Sequence, residues 1–161
     1  MQDLVEHLSI LLSERGWKMV VAESCTGGLL AASITHRPGS SAVFERGFVT
    51  YSNEAKIELL GVQANTLEKY GAVSEKTAEE MAIGALKNSS ADISLSITGI
   101  AGPDGGSDNK PVGLVYFGFA LKGGSSGGMK HNFDGSREQI RGKAAHTALK
   151  HLISILEEEA L

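Results

Sequence analysis

Ser24, Cys25 and Thr26 stand side by side in Val20-Val21-Ala22-Glu23-Ser24-Cys25-Thr26, and Gly27-Gly28 follows directly. Trp17 to Ala22 is short, apolar and rich in β-formers, which predicts a buried strand. Leu29 to Thr35 reads as a helix. A hydroxyl- and Gly-rich turn between strand and helix aims free N–H groups and the positive end of a helix dipole at one spot. An anion or a developing oxyanion is stabilised there, and Ser24 would stand in that field as a nucleophile. Cys25 is the competing nucleophile, because the dipole alone does not choose between them. Neighbours in extended backbone point opposite ways, so only one of the two should face the pocket. The plainer reading of the stretch is that Ser24 or Thr26 caps the helix.

A serine nucleophile needs a base. The chain holds five histidines, and no local pattern singles one out. His146 and His151 point to different sides of their helix and have no Cys or acidic cluster beside them. They read as structural or solvated, and no metal site is expected. Lys56, in Tyr51-Ser52-Asn53-Glu54-Ala55-Lys56, lies just after a strand that could neighbour the first. With Asn53 as N-cap, Lys56 falls in the first helical turn. The dipole disfavours a cation there, and partial burial lowers the pKa further. A lysine made neutral in this way can take a proton from serine. Read alone, it is an exposed helix lysine. Arg137 and Arg141 are spaced to form a two-pronged phosphate clamp or, more plainly, surface ion pairs. Thr98 and Gly99 open a loop at the end of another strand, where open α/β sheets bind ligands. GxxxxGK[ST] is absent, and AESCTGG is not GxGxxG, so the common nucleotide loops are excluded.

The elements that must position these residues follow from periodicity. Leu4, Leu8, Leu11 and Leu12 share a helical face that Gly16 ends. Phe44 to Tyr51 predicts a strand, Glu54 to Leu60 a helix closed by Gly61, and Thr66 to Tyr70 a short helical turn. Ser74 begins a long helix, and Ala91 to Thr98 is a strand. Asp104 to Lys110 is a polar loop, and Val112 to Leu121 is a strand. Gly123 to Gly128 reads as a flexible connection into a strand at Met129 to Phe133. Ser136 and Gln139 form a capping box for a closing helix with Ile140, Ala144, Ala148, Ile155 and Leu156 inward. Glu157 to Glu159 sit at the wrong end for the dipole and should fray. Helices alternating with strands predict a three-layer α/β/α sandwich around a mixed, mostly parallel sheet, with one antiparallel strand from the late hairpin.

Size and charge narrow the function classes. With 161 residues, 42% hydrophobic and 21% charged, the chain is expected to form one domain over residues 1–161. A formal charge of -4 argues against a nucleic-acid-binding surface. The single cysteine excludes an intramolecular disulfide and fits a reducing cytoplasm. No apolar run approaches a membrane span. The acidic residues in MQDLVEHLSILLSERG mark an amphipathic helix and not a signal peptide.

Taken together, AESCTGG (22–28), GSSAVFERGFVTYSNEAK (39–56), GAVSE (71–75), TGIAGPDGG (98–106), KPVGLVYFG (110–118) and REQIR (137–141) resemble the CinA C-terminal domain family. Its stand-alone members are nicotinamide-nucleotide amidases. The resemblance covers nearly the whole chain. It implies an α/β/α fold and hydrolysis of the carboxamide of nicotinamide mononucleotide to the acid nucleotide and ammonia. It also implies a Ser–Lys pair that maps onto Ser24 and Lys56, with Tyr51 beside them. Thr26, Gly27 and Gly28 would supply oxyanion donors, and Thr98, Gly99, Arg137 and Arg141 would bind phosphate and ribose. No metal or organic cofactor is expected. The family usually has Gly-Asp-Arg where this chain has Gly135-Ser136-Arg137. Full-length members carry a further N-terminal domain, whose activity is not expected here. A homo-oligomer, dimer or higher, is expected. The rival reading is a non-catalytic nucleotide- or phosphate-binding sensor.

Overall fold

The computed structural model describes residues 1–159; Ala160 and Leu161, the end of the expected domain, lie outside them. Five strands form one sheet in the order β2-β1-β3-β4-β5. They are β1 (Met19–Glu23), β2 (Phe44–Val49), β3 (Ile93–Gly99), β4 (Leu114–Leu121) and β5 (Ser126–Asn132). β1 pairs in parallel with β2 and β3, and β4 is antiparallel to both β3 and β5. Four strands therefore run one way and β4 alone runs back. Helices α1 (Gln2–Arg15), α2 (Leu29–Thr35) and α6 (Arg137–Glu158) cover one face. Helices α3 (Asn53–Leu60), α4 (Ala64–Tyr70) and α5 (Glu75–Lys87) cover the other.

The burial pattern explains the layers. Every residue of β1 is buried, as expected of a central strand with helices on both faces. Met19 and Val21 join the core under α1, α2 and α6, and Val20 and Ala22 join the core under α3 and α5. The polar residues of β3 are equally buried, and their hydroxyls tie the sheet to α5. Ser94 donates to the Ala82 carbonyl and Ser96 to that of Ala78. No helix of the described residues is long and apolar enough to cross a membrane.

Several boundaries differ from expectation. α1 buries Val5, Leu8 and Leu12, leaving Leu4 and Leu11 at the rim. Ser52 caps α3, since its side chain accepts the Ala55 N–H at 3.0 Å, and Asn53 is already helical. The hairpin turn is tighter than the glycines suggest: Ser126 to Gly128 belong to β5, and Leu121 N–H donates to Ser125 O. Gly128 is there for space, because a Cβ would lie 2.8 Å from Glu75 Cγ on α5. The predicted capping box is present, and α6 continues through Glu158.

The connections leaving β1 and β2 turn to opposite faces, into α2 and α3 respectively. That divergence opens a crevice at the carboxyl ends of the two strands, where open α/β sheets bind ligands. α3 is held close by Gly84 on α5, where a Cβ would stand 1.8 Å from the Leu60 carbonyl oxygen. Alanine is the better helix former by about 1 kcal/mol, but an overlap with fixed backbone costs about 1–3 kcal/mol. Gly84→Ala should therefore lower the urea midpoint of unfolding without changing the slope. A raised midpoint would show that the two helices have room to part.

Candidate active site

Ser24 and Lys56 meet in the crevice. Lys56 Nζ lies 3.0 Å from Ser24 Oγ, 2.8 Å from the Thr50 carbonyl oxygen and 3.3 Å from that of Tyr51. Lys56 is 1% exposed and Ser24 8%. Among the described residues no carboxylate pairs with Lys56. Burial pushes its pKa below the usual lysine value, and the nearby Cys25 opposes this to a lesser degree. A neutral amine has two N–H donors and one lone pair. The two carbonyls match the donors, which leaves the lone pair for the Ser24 hydroxyl.

The turn after β1 is held from both sides. Glu23 is fully buried, and its carboxylate accepts the N–H groups of Leu30 at 2.9 Å and Ala31 at 3.0 Å. The first-turn donors of α2 thus bind an internal carboxylate, and the helix end is not aimed at a ligand as the sequence suggested. Gly27 N–H donates to Ser24 O and Leu29 N–H to Thr26 O. Among the described residues this leaves the amides of Cys25, Thr26 and Gly28 without a main-chain acceptor. Gly27 and Gly28 adopt φ of 56° and 102°, a region that residues with a Cβ enter at a cost. Cys25 is buried, and burial raises its thiol pKa to about 11.

Arg141 and Arg137 do separate work. Arg141 Nε and Nη2 donate to the carbonyls of Cys25 (3.1 Å) and Thr26 (2.9 Å), gripping the turn from α6. Arg137 Nη1 donates to Gly102 O at 2.8 Å and Nη2 to the Tyr51 phenol oxygen at 3.0 Å. The two guanidinium groups do not converge on one clamp here. Tyr51 is 61% exposed and reaches Lys56 through its main-chain carbonyl; its hydroxyl instead meets Arg137. Thr98 is buried with its hydroxyl on the Ala72 carbonyl at 2.8 Å, and Gly99 pairs with Val115 in the sheet.

Sequence reasoning did not single out Glu23 or Thr50. A carboxylate closing an apolar strand was the available signal for Glu23, since a buried anion requires donors. His131 and His151, 3.1 Å apart through Nε2, pack on Phe117 away from this crevice. Burial and the neighbouring His131 lower the His151 pKa to about 4. Among the described residues no group of three or more His, Cys, Asp or Glu could hold a metal ion.

The comparisons with known proteins agree with this architecture. The family model described as the CinA C-terminal domain matches residues 1–156, and the chain belongs to that family. It is 54% identical over 157 residues to the nicotinamide-nucleotide amidohydrolase PncC of Enterobacter agglomerans, covering 95% of this chain and 96% of that one. The protein of the same name from Escherichia coli K12 is 52% identical, with 94% and 92% covered. The crystal structure of competence damage-inducible protein A from Klebsiella pneumoniae superposes with a TM-score of 0.93 at 38% identity, covering 97% and 96%.

The raised thiol pKa separates Cys25 from Ser24 experimentally. At pH 8 a thiol of pKa near 11 is ionised to roughly one part in a thousand. Iodoacetamide should therefore label native Cys25 far more slowly than the urea-unfolded chain. Equal rates in the two states would contradict the buried, protonated thiol.

Proposed function

We propose that the chain is a nicotinamide-nucleotide amidase that hydrolyses the carboxamide of nicotinamide mononucleotide through an acyl-enzyme on Ser24. The contact between Lys56 Nζ and Ser24 Oγ at 3.0 Å, with Lys56 buried and lacking a carboxylate partner among the described residues, carries this reading. The names of the two amidohydrolase relatives support the substrate class.

Neutral Lys56 takes the Ser24 proton as Oγ attacks the carboxamide carbon, and the carbonyl π pair moves onto oxygen. The amides of Thr26 and Gly28 hold this oxyanion, joined by that of Cys25. In known cases a lost donor of this kind costs about 3–4 kcal/mol. The Gly27 amide is bonded to Ser24 O, so Gly27 serves through its backbone shape. The Lys56 ammonium then gives its proton to the amide nitrogen, the C–N bond breaks and ammonia leaves. Water, deprotonated by the same amine, cleaves the ester to nicotinate mononucleotide and regenerates Ser24. Arg137, exposed beside Tyr51, meets the phosphate, while Thr98 and Gly99 shape the ribose side. Arg141 holds the turn that carries the oxyanion amides and is not assigned to the phosphate. Every step uses groups of this chain, so no metal or organic cofactor is invoked. We also place the protein in the cytoplasm as a homo-oligomer; the buried lone thiol fits the first, and the exposed Val49 on edge strand β2 fits the second.

Ammonia release from nicotinamide mononucleotide is the direct assay. Ser24→Ala should abolish it while leaving folding intact, and Cys25→Ala should be much milder. An active Ser24→Ala variant would remove the acyl-enzyme. Activity should rise with pH through a midpoint below the 10.4 of free lysine, because Lys56 acts when deprotonated and burial lowers its pKa. Lys56→Arg keeps the charge and cannot be deprotonated at working pH. It should be about as inactive as Lys56→Ala, and substantial turnover would make Lys56 only an electrostatic anchor. Arg137→Ala should weaken binding of the nucleotide more than that of its phosphate-free riboside, measured as KM for each. An equal loss with both would detach Arg137 from the phosphate.

A further inference from the structure

Three strands end side by side in hydroxyl residues. Ala22 pairs with Phe48 on β2 and with Ser96 on β3, so the three side chains share the face under α5. Two residues further on, that face carries Thr50, Ser24 and Thr98. The ladder persists this far, since Thr50 N–H donates to Glu23 O and Ser24 N–H to Ile97 O. In this row Ser24 bonds Lys56, and Thr98 bonds the Ala72 carbonyl. Thr50 is fully buried, and its Oγ1 has no hydrogen-bond partner among the described residues. Its own carbonyl nevertheless holds Lys56 Nζ at 2.8 Å.

A buried, unpartnered hydroxyl works against the fold that contains it. Valine has the same shape and β-branching and carries no such penalty. The resting protein therefore gains nothing from the Thr50 oxygen, although it lies one strand over from the nucleophile and on the residue that orients the base. Rule-breaking of this kind is expected where function and stability pull apart.

We propose that Thr50 is a positioning residue, whose hydroxyl receives an N–H of Lys56 when the amine leaves Ser24 Oγ to deliver its proton to the departing nitrogen. This rests on the Ser–Lys reading above. After Ser24 has given up its proton, the three ammonium donors of Lys56 match Thr50 O, Tyr51 O and Ser24 Oγ. Once Oγ is bonded to the acyl carbon, the N–H that faced it turns toward the leaving nitrogen, and as Nζ follows, the long 3.3 Å contact to Tyr51 O gives way and frees an N–H. Thr50 Oγ1 is the neighbouring acceptor on the same face, and it keeps Nζ in the crevice while the proton moves. Thr50 itself neither gains nor loses a proton. The Ser24 proton travels by way of Lys56 to the ammonia, and the C–N pair leaves with it.

The test compares Thr50→Val, Thr50→Ser and Ser24→Ala in the full chain with nicotinamide mononucleotide. Thr50→Val should raise Tm by about 2–4 °C, the shift expected for a chain of this size when one such penalty is lifted. The same variant should lower kcat by roughly 10- to 100-fold with KM changed less than about threefold, the pattern of an interaction made after substrate binds. The pH midpoint of kcat/KM should stay within about 0.3 of wild type, because the hydroxyl makes no bond to Lys56 in the free protein. Thr50→Ser should recover kcat to within about threefold. Wild-type kcat in Thr50→Val overturns the proposal. A kcat loss accompanied by a lowered Tm or a moved midpoint overturns it too, by showing general damage to the Lys56 site. If Ser24→Ala still releases ammonia, the Ser–Lys reading itself falls. If Ser24→Ala is dead while Thr50→Val is fully active, only the role of Thr50 falls.

Discussion

The site depends on a buried lysine that has carbonyls for company and, among the described residues, no carboxylate. An ammonium in such a place is held by dipoles alone, and desolvation works against its charge. A carboxylate in place of the Thr50 carbonyl would have held the amine in its charged form. Main-chain carbonyls do the opposite: they orient Nζ toward Ser24 Oγ while leaving its protonation state easy to change. The remaining architecture delivers those carbonyls and that serine to one point. β2 ends where its chain turns into α3, and β1 ends where its chain turns the other way into α2. The close approach of α3 to α5 at Gly84 fixes the depth of the lysine.

Charge is distributed around the nucleophile turn with the same economy. Glu23 neutralises the start of α2 from inside, and Arg141 holds two carbonyls from outside. The donors that remain for chemistry are those of the turn itself. A seven-residue helix has a weak end field, and a carboxylate already seated on it weakens that field further. The local amides, and not the helix dipole, are thus the relevant electrostatics.

Much of this was legible in the residues. The alternation of elements gave three layers, and the single reversed strand followed from the late hairpin. Ser24 stands out by type and by its place after a strand, whereas Lys56 read alone is an exposed helix lysine, marked only by following a strand that could neighbour the first. Other features needed three dimensions. Glycines in Gly123 to Gly128 signal either mobility or close approach, and only the passage of α5 over Gly128 decides between them. Ser52 and Asn53 are equally good caps by type, and backbone geometry alone selects Ser52. Arg137 and Arg141 share a helical face by spacing, but that spacing does not say that main-chain carbonyls of distant loops wait for each. Thr50 carried no signal at all, because its carbonyl and its buried hydroxyl are invisible in a string of letters.

The hold of Arg141 on the Cys25 and Thr26 carbonyls spans 116 and 115 residues of chain. During synthesis β1, its turn and α3 emerge long before α6. A nascent chain can bring Ser24 and Lys56 together, but the turn between β1 and α2 is ungripped until α6 docks. In the reading proposed above, the geometry around Ser24 is therefore completed only after α6 has been made. Chains cut short before α6 would carry Ser24 and Lys56 without that grip on the turn.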